Sequence, residues 1–143
     1  MSQRHLETMF CDDVRQETSG KFIFVGVYSN DMVVSKFPVT LPKLCIQAKA
    51  VTFADDPFQE LRIKTYIDDE LIKSLAADLE PPDPRKGPAV DERVHTNTMI
   101  FTVTDLTLEG PCVIRVRAQT EREEFRGLSL HVLERPIDSG SSG

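Results

Sequence analysis

Reactive side chains are sparse in this chain and widely spaced, so the first question is which of them could meet. Acidic residues occur in runs at Asp12-Asp13, Asp55-Asp56 and Asp68-Asp69-Glu70. Carboxylates that converge from separate loops are the hard oxygen ligands calcium takes, and Asp55, Asp56, Asp68 and Asp69 form the candidate set. No Asp-x-Asp-x-Asp-Gly loop accompanies them, and carboxylates in turns serve more often as solvated turn formers. Zinc needs thiolate and imidazole ligands in close local pairs. Cys11, Cys45, Cys112, His5, His95 and His131 contain no such pair. A nucleophile needs a base and an orienting acid beside it, yet His5 lies near a fraying end and His131 on the outward side of a strand. No catalytic constellation, metal signature or phosphate loop is legible, and no cofactor is expected.

Two further groups invite a binding role. Arg115 and Arg117 share the outward face of one strand, with Arg122, Arg126 and Phe125 close behind. A basic face with an aromatic suits an anion or a nucleic-acid strand, but Glu121, Glu123 and Glu124 lie among these residues, so cross-strand ion pairing is the better reading. The second group is Glu80-Pro81-Pro82-Asp83-Pro84-Arg85-Lys86-Gly87-Pro88. Its four prolines forbid helix and central strand and favour extended polyproline geometry. Pro81, Pro82, Pro84, Arg85 and Lys86 are the candidate partner-binding motif, since such segments dock in aromatic grooves. A plain surface spacer is the simpler use.

The elements that must position these residues read as strands. Phe10–Arg15, the turn residues Ser19-Gly20-Lys21 and Phe22–Tyr28 make a β-hairpin. In Cys112–Gln119, Cys112, Ile114, Val116 and Ala118 fall on one face and Arg115, Arg117 and Gln119 on the other. The same period of two runs through Leu44, Ile46, Ala48 and Ala50, through Leu61, Ile63 and Ile67, and through Leu128, Leu130 and Val132. Thr98–Val103 is β-branched and aromatic, a strand with two covered faces. Asp105–Pro111 reads as a loop or short edge. Pro38 and Pro42 remove ladder donors and mark an exposed edge or a crossover. Asp68–Leu79 is open: Leu71, Leu75 and Leu79 have helical spacing, while a turn at Asp68-Asp69 with a returning strand fits as well and is favoured. One-sided strands of this kind imply antiparallel sheets with a wet outer face.

With 143 residues, 40% hydrophobic and 28% charged, the chain suits one compact domain that buries roughly two-thirds of its unfolded surface. We take residues 1–138 as that domain and 139–143 as a flexible tail. A net charge of −6 repels phosphate backbones and anionic lipid, so neither nucleic acid nor membrane is expected as a partner. No secretory signal or membrane span is legible. The cysteines are odd in number, far apart in sequence and set among apolar neighbours, which fits reduced thiols in a cytoplasmic protein.

The pattern Cys11-Asp12-Asp13-Val14-Arg15, Gly20-Lys21 and Gly26-Val27-Tyr28, followed by Phe37-Pro38 and Leu41-Pro42, resembles a family of short bacterial proteins known only as a domain of unknown function. Leu108-Glu109-Gly110-Pro111 leading to Val116-Arg117 and Gly127–Val132 is similar to the last two strands of an immunoglobulin-like sandwich. The resemblance implies a bacterial or phage β-sandwich and brings no activity with it. The expectation is therefore an all-β, immunoglobulin-like antiparallel sandwich of about seven or eight strands. Its core comprises Phe22, Phe24, Ile46, Ala48, Ile63, Phe101, Ile114, Val116, Leu128 and Leu130. It is a non-enzymatic module that binds an unidentified protein partner or pairs with its own copy through a sheet edge, with small-ligand or calcium binding as the alternative.

Overall fold

The computed structural model describes residues 4–79 and 94–135. Those residues form ten strands and no helix: β1 (His5–Gln16), β2 (Phe22–Tyr28), β3 (Asp31–Val34), β4 (Val39–Phe53), β5 (Leu61–Ile67), β6 (Glu70–Ala76), β7 (Val94–Leu108), β8 (Cys112–Thr120), β9 (Glu124–Arg126) and β10 (Leu130–Glu134). They build two sheets. Sheet A has the order β2-β1-β4-β7, and sheet B the order β3-β10-β8-β5-β6 with β9 also on β8. The domain is an all-β sandwich with more strands than the seven or eight expected, because the short strands β3 and β9 carry too little alternation to be seen in sequence.

The period of two decides which side chains meet between the sheets. In β8, Ile114, Val116, Ala118 and Thr120 are buried. From sheet A, Leu6, Phe10, Leu44, Ile46, Ala48 and Phe101 pack toward Ile63, Leu130 and Val132 of sheet B in one continuous core. Each large apolar side chain buried there contributes about 2 kcal/mol. Of the ten expected core residues, seven lie in this core, Phe24 is half-buried outside it, and Phe22 and Leu128 are 47% and 68% exposed. Leu128 precedes β10 and lies outside its alternation, and Phe22 belongs to a strand that overhangs the second sheet, described below.

The open segment Asp68–Leu79 resolves as a strand up to Ala76. Asp68 adopts φ +52, its N–H donates to the Val113 carbonyl at 2.8 Å, and its Oδ1 accepts the Val113 N–H at 3.0 Å. This turn sends β6 back along β5. Leu71 is left exposed, so the helical spacing was incidental. Asp105–Leu108 is no loop: β7 continues to Leu108 in register with β4. Asp105 has φ +52 and stands at the ladder step that also lacks Pro42, between the pairs Leu41 with Leu106 and Lys43 with Thr104. Proline and left-handed aspartate thus interrupt the ladder at one point and the strand resumes. Pro42 lies in the first part of β4, where β7 is the one paired neighbour among the described residues because β1 pairs only with Val51 through Cys45, and the chain passes from sheet B to sheet A between β3 and β4, so the edge and crossover reading of Pro38 and Pro42 holds. One pairing departs from the antiparallel rule, since β3 runs parallel to β10.

Candidate interaction surface

The hairpin β1–β2 closes through a turn in which the Glu17 N–H donates to the Lys21 carbonyl at 2.7 Å and the Gly20 N–H to the Glu17 carbonyl at 2.9 Å. Gly20 has φ +93, a conformation that side chains disfavour. The register sets Phe10 opposite Tyr28, Cys11 opposite Val27, Asp13 opposite Val25 and Gln16 opposite Phe22. Strand β1 pairs with β4 only through Cys11, so its later half and Phe22 through Gly26 of β2 project past β4, while Val27 and Tyr28 stand opposite Cys11 and Phe10. Among the described residues β2 pairs with β1 alone, and β1 is also its main packing partner. That overhang is why Phe22 and Phe24, although on the core-facing side, leave the core; their rings lie 6.4 Å apart.

Seven successive residues of β2 carry no charge. Phe22, Ile23, Val25 and Val27 are 47%, 42%, 41% and 52% exposed. Ile23, Val25 and Val27 share the outer face of sheet A with Arg15, Asp13 and Cys11, the residues they oppose. Next to Val25 the polar rim is paired: Asp13 holds Lys43 and Arg15, the latter at 3.3 Å. The bond from Lys43, helped by that from Arg15, outweighs desolvation and holds the Asp13 carboxyl below its usual range. The row from Val27 continues through Cys11 to Cys45, which stand opposite one another and are buried. The three cysteines are unbridged. Cys11 and Cys45, distant in sequence, are neighbours in the sheet, which the spacing did not reveal.

Gly26 is fixed by two demands. Its φ is +69, and a Cβ there would lie 2.2 Å from Asp12 Oδ2. Asp12 in turn accepts the Tyr28 hydroxyl. Burial and this carboxylate push the Tyr28 pKa up to about 12. The base of the edge strand is therefore anchored while its outer flank stays open.

The expected site residues fall elsewhere. Asp56 lies in the β4–β5 connection and Asp68 at the far end of β5, and a seven-residue strand spans roughly 20 Å. Asp55, Asp56, Asp68 and Asp69 thus form two separate pairs, and no three His, Cys, Asp or Glu side chains among the described residues converge as a metal set. Pro81, Pro82, Pro84, Arg85 and Lys86 lie outside the described residues. Two of the basic residues form ion pairs: Arg117 meets Glu124 at 3.5 Å and packs its guanidinium 4.7 Å from the Tyr66 ring centre, and Arg122 meets Asp56.

Asp56 belongs to a cluster that sequence reading missed, built on Arg4. The Arg4 side chain is 1% exposed. It donates to Thr52 Oγ1 at 3.2 Å and to the carbonyls of Asp56 and Pro57 at 3.3 and 3.1 Å. It contacts Glu121 at 2.8 Å and stacks 4.6 Å from the centre of Phe58, which packs on Phe125. Glu121 also accepts the N–H groups of Gln59 and Glu60. Burial alone pulls the Glu121 carboxyl upward, but these donors with Arg4 outweigh it and hold its pKa at about 2. The signal available in sequence was an arginine before a strand and the run Glu121–Glu124, with nothing to say that they meet.

The described residues define an all-β sandwich that presents an uncharged edge strand. A family model described as a family of unknown function, DUF6941, matches residues 7–133. The chain belongs to that family. A search of curated proteins finds no match.

Proposed function

We propose that the chain is a non-enzymatic binding module that acts by engaging another protein along β2. The observation that supports this reading is an edge strand of seven uncharged residues, four of them large, apolar and at least 41% exposed. Edge strands are ordinarily guarded by charge, proline or a covering segment, because unpaired N–H and C=O groups template the addition of another strand. Strand addition to such an edge draws affinity from main-chain hydrogen bonds and specificity from alternate side chains. The three unbridged cysteines suit work in a reducing compartment such as the cytoplasm.

Capture from host lysate tests the reading when wild-type protein is compared with Val25→Lys and with the control Leu128→Lys, a change at an exposed leucine away from β2. The expected outcome is a bound protein that Leu128→Lys retains and Val25→Lys loses. Equal capture by all three contradicts the assignment to β2.

A further inference from the structure

We infer that the strand added to β2 is β2 of a second copy of this chain, running antiparallel about a twofold axis through Val25; this rests on the reading of β2 as the working edge. The segment Phe22-Ile23-Phe24-Val25-Gly26-Val27-Tyr28 is self-complementary in that register. Val25 meets Val25 of the second copy, Ile23 meets Val27, Phe24 meets Gly26, and Phe22 meets Tyr28. Each pairing is one that paired strands favour. Aromatic and β-branched partners stabilise cross-strand positions, and an aromatic ring laid across a glycine recovers contact that the missing side chain forfeits. Gly26, held at φ +69 with the Asp12 carboxylate filling its Cβ position, presents no side chain of its own to Phe24 of the second copy.

Charge agrees with the same register. No ionisable group lies between Phe22 and Val27, Lys21 arrives beside Ser29 of the second copy, and like charges nowhere face one another along the row. A twofold contact must be self-complementary, with each residue and its counterpart exchanging roles. The palindromic arrangement of bulk around Val25 meets that condition. Pairing joins the two four-stranded sheets A into one eight-stranded sheet, with Ile23, Val25 and Val27 of both copies forming a continuous apolar stripe on its outer face. Among the described residues β2 packs mainly on β1, which leaves its other flank for the approach.

The twofold axis makes the test specific, because residue 25 faces itself. Sedimentation from micromolar to millimolar concentration is compared for wild type, Val25→Lys, Val25→Glu, their equimolar mixture and Leu128→Lys, with circular dichroism confirming that each variant folds. A reversible wild-type dimer is expected, weakened at least about tenfold by either charge alone, restored in the mixture, and unchanged in Leu128→Lys. A wild type that stays monomeric, charged variants that dimerise like wild type, or a mixture that stays monomeric each overturn the inference. If wild type is monomeric while lysate capture still shows a partner lost by Val25→Lys, the second copy is wrong and the binding edge stands. If it is monomeric and no Val25-dependent partner is captured, both fall.

Discussion

The Arg4 end of the sandwich and the β2 edge each concentrate one kind of residue, and they differ in whether those residues find partners. At the Arg4 end a buried guanidinium meets Thr52, two carbonyls, Glu121 and an aromatic ring. At β2 four large apolar side chains are exposed, and among the described residues one flank of the strand is unpaired. Burying a charge is costly unless it is paired and hydrogen-bonded, so the first cluster acts within the fold, tying the start of β1 to the β4–β5 connection and the β8–β9 turn. Exposed apolar surface on an unpaired edge has the opposite character: its stabilisation is available only on contact with something else. A cluster rich in charge is therefore the structural device here, and the uncharged strand is the surface proposed to bind.

Substitution separates the two. Arg4→Ala removes a buried partner of Glu121 and Asp56, which keep Arg122, and is expected to lower unfolding free energy by about 3 kcal/mol in urea, while the surviving folded protein keeps its β2-dependent association. Gly26→Ala is expected to cost about 2 kcal/mol through a left-handed backbone and the clash with Asp12, and to weaken association as well, because relieving that clash distorts the edge strand itself. Equal losses of association in both variants would erase the distinction.

The pH dependence divides along the same line. Glu121 has a folded pKa lowered from its ordinary 4.5 to about 2, so its stabilisation is complete above 4.5 and is lost as pH falls toward 2. Glu121→Gln flattens that acid limb in thermal melts. Tyr28 is raised from 10 to about 12, so its contribution is complete below 10 and is lost as pH rises toward 12; Tyr28→Phe flattens the alkaline limb. Acid loosens the Arg4 end and alkali the base of β2.

Much of the architecture was legible because period-two alternation is a local signal. The hairpin, the inward rows of β4, β5 and β8, and the ion-paired use of Arg117 all follow from neighbours in sequence. What stayed hidden depends on distance. Strand β2 has every mark of a core strand, and only the point at which β1 stops pairing with β4 shows that Phe22 overhangs. Arg4 and Glu121 meet across the fold, and Cys11 faces Cys45 through a register that no spacing encodes. Pro42 read correctly as an edge marker, since β1 does not reach it, but that Asp105 across the ladder accommodates the break was not legible.

Hydrogen exchange of the β2 amides at low and high protein concentration tests the central claim most directly. Those β2 amides that β1 does not engage are predicted to exchange rapidly in dilute solution and to become protected as concentration rises, with Val25→Lys abolishing the change and the Arg4 end unaffected. Protection that is independent of concentration, or that appears on another strand while β2 stays open, contradicts the account.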